Sequence, residues 1–259
     1  MTSLHQAWLS TPRPLRKIAS SVVRTLHLPL PAIHRFMRWP MPDGFMPGSP
    51  HTGPAVEKCL AFTASRNLVG DYYEFGMWRG HTFCRAQQAA RELKLDQMRF
   101  WGFDSFAGLP SDEGNEKSPE DTSPSKGRLY KGDFTCPKDE VIAYLTQFGV
   151  DWSRTKLIEG FFDASLTPDL KRSLGLKPVA VVLVDCDLYV STVPVLEFLV
   201  DLLQEGSIVL FDDWNIFEGA DDTGERRAFG EFLRAHQEWT AEPHITFGWH
   251  GQAFIMHRR

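Results

Sequence analysis

The chain has 259 residues, 42% of them hydrophobic and 24% charged, with a formal net charge of −5. That is enough apolar material to bury one full core in a single main domain, and the acidic balance excludes the basic footprint of a nucleic-acid-tracking surface, leaving small-molecule chemistry. Cys59, Cys84, Cys136 and Cys186 are widely spaced without a C-x-x-C pair, which argues against a zinc site or a disulfide framework and for a reducing cytoplasm.

The first forty residues carry Arg13, Arg16, Lys17, Arg24, Arg35 and Arg38 and no acidic residue. Pro12, Pro14, Pro29 and Pro31 break up their apolar positions, so no stretch approaches the roughly 20 apolar residues of a membrane span, and no secretory cleavage pattern is present. The expectation is a helical arm that packs on the domain, on a partner subunit or over the active site. The alternative is peripheral membrane contact or organelle targeting, for which the basic charge and Trp8, Phe36 and Trp39 speak. Residues 40–54 are too dense in Pro and Gly for regular structure and read as a linker or lid. The chain therefore divides into an arm and linker, residues 1–54, and a main domain, residues 55–259.

In the main domain, apolar periodicity predicts a helix over residues 55–65, with Val56, Cys59, Leu60 and Phe62 on one side, and a strand over 70–75. Alternation continues with a helix at 81–93, a strand at 98–103, a helix at 138–148, a strand at 155–158 and a short helix at 168–174. A strand at 179–184, a helix at 193–203, a strand at 207–211, a helix at 225–236 and closing strands around Ile245 and 253–257 complete the series. Strands separated by helix-length segments mean βαβ units and a mostly parallel, doubly wound α/β sheet of seven strands. The polar, Gly-, Pro- and Ser-rich segment 111–137 is expected to be a lid.

Chemistry concentrates at strand ends. The run Val179 to Val184 leads into Asp185-Cys186-Asp187, and Ser207 to Phe211 leads into Asp212-Asp213. Acids at the carboxyl ends of neighbouring parallel strands face the crevice where such sheets bind ligands and can share a divalent ion. The first strand ends in Glu74-Phe75-Gly76-Met77-Trp78-Arg79-Gly80, a glycine turn opening on a helix N-terminus. Asp104 ends the second strand at the distance at which an acid accepts the hydroxyls of a ribose, so turn and acid together point to a nucleoside cofactor. His81, His244, His250 and His257 show no metal-ligand spacing and read as packing or hydrogen-bonding residues, with a cofactor contact open to His81. Trp78, Phe106, Trp214 and Phe217 fall near the expected rim and read equally as stacking platforms or core.

The strings Tyr73-Glu74-Phe75-Gly76-Met77-Trp78-Arg79-Gly80, Phe103-Asp104-Ser105-Phe106-Ala107-Gly108-Leu109-Pro110, Asp185-Cys186-Asp187-Leu188-Tyr189 and Asp212-Asp213-Trp214 resemble, in that order, the macrocin O-methyltransferase (TylF-like) family. The resemblance runs from about Gly70 to the C-terminus. It implies a Rossmann-like class I methyltransferase fold, S-adenosylmethionine as cofactor, Mg2+ or another hard divalent ion, and a sugar hydroxyl of a glycoside, oligosaccharide or polysaccharide precursor as acceptor. It also implies roles. Glu74 and Gly76, with Met77 and Gly80, would line the methionine portion of the cofactor, and Asp104 with Ser105 beside it would hold the ribose. Gly160, Phe161 and Phe162 would flank the adenine, Asp185 would border both cofactor and metal, Asp185, Asp212 and Asp213 would ligate the ion, and Asp187 would be the general base. Cys186 stands where family members commonly have Gly, and Trp214 where they commonly have Tyr. A homo-oligomer and a small-molecule or glycan acceptor are the expected partners. The alternatives are methylation of a catechol or phenol and, from another class, a nicotinamide-dependent oxidoreductase, against which the absence of G-x-G-x-x-G and the unused acids argue.

Overall fold

A computed structural model describes residues 50–111, 129 and 131–259. The expected arm and most of the expected lid lie outside the described residues. In chain order the elements are α1 (Thr52–Ser65), β1 (Asp71–Phe75), α2 (His81–Glu92), β2 (Phe100–Asp104), α3 (Lys138–Gln147), β3 (Thr155–Glu159), α4 (Phe162–Ser165) and α5 (Pro168–Leu174), then β4 (Val179–Val184), α6 (Tyr189–Leu199), β5 (Ile208–Phe211), α7 (Gly224–Ala235), β6 (Trp239–Phe247) and β7 (Gly251–Arg258). They build one seven-stranded sheet of order β3-β2-β1-β4-β5-β7-β6. The pairs among β3, β2, β1, β4 and β5 are parallel, whereas β7 runs antiparallel to both β5 and β6.

The continuous apolar run of β4 is buried at every position, as a central strand covered on both faces requires. Alternation in β1 sorts the two layers. Tyr73 and Phe75 join the cluster that includes Leu196, Phe198 and Leu199 of α6 and Phe229 and Phe232 of α7. Tyr72 points the other way, its ring edge against Phe83 of α2. At the opposite end of β1 from the glycine turn, the buried Asp71 carboxylate accepts hydrogen bonds from the Arg99 backbone N–H and Nε and from Trp101 Nε1, which satisfies a charge that burial alone would penalise.

Two helices start earlier than the periodicity predicts. Helix α1 begins at Thr52 rather than near Ala55, because Pro54 falls in its first turn, where a missing N–H costs no intrahelical bond. Helix α6 begins at Tyr189 rather than Val193, leaving Pro194 inside it. The short α4 was not predicted; four residues are too few to show a period. Among the described residues no helix is long and apolar enough to cross a membrane.

Candidate active site

The carboxyl ends of the five parallel strands stay in register one residue beyond the strands themselves. Gly160 N–H donates to the Asp104 carbonyl at 3.0 Å, Gly76 to Phe103 at 2.9 Å, Asp185 to Phe75 at 2.9 Å and Asp212 to Val184 at 3.0 Å. The pairing of Val184 with Phe211 therefore sets Asp185 and Asp212 side by side, at the roughly 4.8 Å spacing of neighbouring strands. This brings the expected cofactor and acid positions to one edge of the sheet.

The glycine turn is held by Asp104. Its Oδ2 accepts the N–H of Met77 at 2.6 Å and of Trp78 at 3.1 Å, and its Oδ1 that of Phe106 at 2.6 Å. Burial raises the pKa of this carboxyl and the three N–H groups oppose the rise. Ser105 Oγ donates to the Gly108 carbonyl and accepts the Ala107 N–H, tightening the following turn. Met77 is buried, its sulfur lying over Gly102 of β2, so its side chain belongs to the core and only its backbone faces the turn. Gly76 has φ +86°, and a Cβ there would lie 1.7 Å from the Asp185 carbonyl oxygen; no other residue fits. Gly80, also left-handed, opens α2. Below the turn, buried Glu74 accepts the Tyr72 hydroxyl at 2.6 Å, and burial pushes its pKa up to about 8. Burial, then the nearby Arg79 charge, lowers His81 to about 4, so that its ring is neutral near pH 7.

Beyond β3, Gly160 adopts φ +145°, Phe161 is 38% exposed and Phe162 turns inward with its ring edge against Phe75. Of the four aromatics expected near the rim, Trp78 is exposed, while Phe106 and Phe217 are buried and Trp214 packs against Phe211, Phe229 and Phe254.

The acids of β4 and β5 form a like-charged group. Burial, then Asp212, Asp213, Asp187 and Glu74, hold Asp185 well above the usual carboxylate range. Burial, then Asp187 and Asp212, do the same to Asp213, and burial followed by Asp212 and Asp133 raises Asp187 to about 7. Asp187 sits at φ 59° with the Leu188 N–H bonded to the Cys186 carbonyl at 2.6 Å, a three-residue turn of a strained kind that clusters at functional sites. Its own N–H donates to Asp213 Oδ2 at 3.2 Å.

Three further residues join this group that the sequence reading did not place there. Glu225, buried on α7, accepts the Asp213 N–H at 2.9 Å through Oε2, while its Oε1 is buried without a partner among the described residues. Thr52 donates to Asp212 Oδ1 at 2.6 Å, and His250 Nδ1 lies 2.6 Å from the Asp212 carbonyl oxygen. Glu225 carries a sequence signal: it shares the buried face of α7 with Ala228, Phe229 and Phe232, an acid at the first position of an apolar i, i+3, i+4, i+7 stripe. Thr52 and His250 carry none.

Whether this donor set suits a hard divalent ion has two answers. In kind it does: several buried carboxylates raise one another's pKa values, and all their donor atoms are oxygens. In arrangement, among the described residues no three His, Cys, Asp or Glu side chains close on one point in the manner of a formed metal site.

A family model described as macrocin O-methyltransferase (TylF) matches residues 38–250. The chain is 27% identical over 161 residues to the 8-demethyl-8-(2,3-dimethoxy-α-L-rhamnosyl)-tetracenomycin-C 4'-O-methyltransferase of Streptomyces olivaceus, covering 62% of this chain and 59% of that protein. It is 24% identical over 159 residues to the demethyldecarbamoylnovobiocin O-methyltransferase of Streptomyces niveus, covering 61% and 58%. The match thus spans less than two thirds of either relative. Among solved structures, the O-methyltransferase NovP aligns with a TM-score of 0.65 at 21% identity over 80% of this chain and 79% of its own. The calicheamicin methyltransferase CalS11 aligns with a TM-score of 0.59 at 18% identity over 97% and 89%. At these identities the likeness establishes a shared fold.

Proposed function

Because the chain belongs to the macrocin O-methyltransferase (TylF) family, we propose that it transfers a methyl group from S-adenosylmethionine to a sugar hydroxyl of a glycoside or glycan acceptor, assisted by Mg2+ or another hard divalent ion. The observation that carries the reading is the register that sets Asp185 beside Asp212, with Asp187 and Asp213 following, at the same sheet edge as the glycine turn. The sugar acceptor is supported by the rhamnosyl group in the name of the tetracenomycin relative. The nicotinamide-dependent alternative loses its footing with the family match.

In this reading the backbone around Gly76 and Gly80 accepts the methionine portion of the cofactor, with Glu74 beneath it. Asp104 keeps the turn shaped through its three N–H bonds and offers Oδ1, which accepts only one of them, to the ribose. Asp185, Asp212 and Asp213 would hold the ion, which when bound supplies positive charge that lowers the pKa of the acceptor hydroxyl. Asp187 takes the proton of that hydroxyl. Burial and the neighbouring acids raise Asp187 above the usual carboxylate range, toward about 7 before an ion binds, which makes it a stronger base than an exposed carboxylate. The protein's remaining contribution is to line up the acceptor oxygen with the methyl group and exclude water.

Titration of S-adenosylhomocysteine into the protein with and without Mg2+, wild type against Asp104→Ala, tests the cofactor assignment. Binding that the substitution weakens supports it; a folded protein that binds nothing overturns it. A panel of glycosides and catechols then tests the acceptor class, and methylation of catechols alone replaces the sugar reading with the phenol one.

A further inference from the structure

Asp212 is gripped by two elements that contribute no acid to the group. From α1, buried Thr52 reaches 160 residues along the chain to place its hydroxyl 2.6 Å from Asp212 Oδ1. From the β6–β7 turn, His250 Nδ1 lies 2.6 Å from the Asp212 carbonyl oxygen and 3.7 Å from Oδ1. A carbonyl only accepts, so Nδ1 carries the proton, which fixes the tautomer of the ring. The ring is itself fixed. The His250 carbonyl accepts the Asn215 N–H at 2.8 Å, and Gly248 packs so closely that a Cβ there would lie 2.8 Å from His250 Nε2. The side chain and the backbone of one acid are thus bonded by two elements that also touch each other, His51 beside Thr52 lying edge-on to the His250 ring at 6.1 Å between centroids, and Oδ1 keeps a lone pair for a ligand.

We propose that Thr52 and His250 are positioning residues for Asp212: Thr52 sets the orientation of the carboxylate, and His250 holds the strand end that carries it. The proposal rests on the metal-assisted reading above. Hydrogen bonds to a ligating carboxylate set its orientation, and loss of such a partner typically weakens metal affinity about 10- to 100-fold.

The test titrates Mn2+, as a spectroscopic stand-in for Mg2+, into the full chain saturated with S-adenosylhomocysteine, following free Mn2+ by electron paramagnetic resonance. Thr52→Val, which keeps the shape and removes the donor, is expected to weaken Mn2+ binding about 10- to 100-fold, whereas Thr52→Ser stays within about threefold of wild type. His250→Asn, whose amide nitrogen can occupy the place of Nδ1, is expected to retain affinity, and His250→Gln, which places its donor near Nε2, to lose it. Affinity for S-adenosylhomocysteine stays at the wild-type value throughout. Folded Thr52→Val and His250→Gln proteins that bind Mn2+ like wild type would overturn the proposal while leaving the metal reading intact. If Thr52→Val does not fold, the His250 pair decides. A wild type that binds S-adenosylhomocysteine but no Mn2+ overturns both the metal reading and this proposal.

Discussion

At Asp187, backbone strain and charge meet in one residue. Its left-handed φ of 59° is tolerable for Asp, whose short side chain can bond locally, and the turn directs the carboxyl toward the other acids. Asp187→Asn is expected to lower kcat about 10²- to 10⁴-fold with S-adenosylhomocysteine affinity unchanged. Because the ionised carboxyl is the base, the wild-type rate should rise with pH through the Asp187 pKa, which the bound ion sets below about 7 by neutralising the neighbouring Asp212, a limb that the Asn variant lacks, as a pH profile of methyl transfer will show. Glu74 acts through stability instead. Its pKa is 4.5 when free and about 8 in the fold, so between those values the folded chain holds a proton that the unfolded chain has released. That contribution is whole below the free value and is lost as pH rises toward about 8. Melting curves should show wild type losing stability over this window and Glu74→Gln, permanently neutral, losing less. The strand-end acids are readable from sequence because an apolar run ending in Asp is a local pattern. Thr52 and His250 are not, because what gives them meaning is a partner far along the chain.

Elements set how far these residues can move. Gly76 is where the turn after β1 meets the end of β4, and a methyl group there collides with the Asp185 carbonyl rather than with a yielding side chain. Gly76→Ala should therefore displace the turn and the Asp104 bonds with it, weakening S-adenosylhomocysteine at least about tenfold and lowering the melting temperature, since a strained non-Gly residue with positive φ adds to the steric cost. Calorimetry of the same sample reads both. Strand identity was legible because the runs 179–184 and 208–211 are continuous and apolar. Helix starts were less so: Pro54 and Pro194 each mark a first turn in sequence, but only Pro54 lies in one.

For the whole molecule, the mostly parallel doubly wound sheet followed from the alternation of strands with helix-length segments, but the place of the last strand did not. Two closing strands joined by a short turn suggest a simple edge hairpin, and periodicity carries no information about which of them meets β5. In the structure β7 lies between β5 and β6, pairing with β5 from Ile208↔Ile255 to Phe211↔Gln252 and with β6 along its other side. The inner place falls to the more buried strand: β7 hides Ala253, Phe254 and Met256, whereas the middle of β6 includes exposed Glu242 and Pro243.

This order has a consequence for biosynthesis. Until β7 emerges from the ribosome, β5 presents the open margin of an apolar sheet, and β6 has no inner neighbour to hold it. The nascent chain thus carries a sticky, template-like edge through the synthesis of α7 and β6, when most of this domain's core can already collapse. A chain cut before Gly251 should stay in that condition, collecting in the insoluble fraction on expression while the full chain remains in the supernatant.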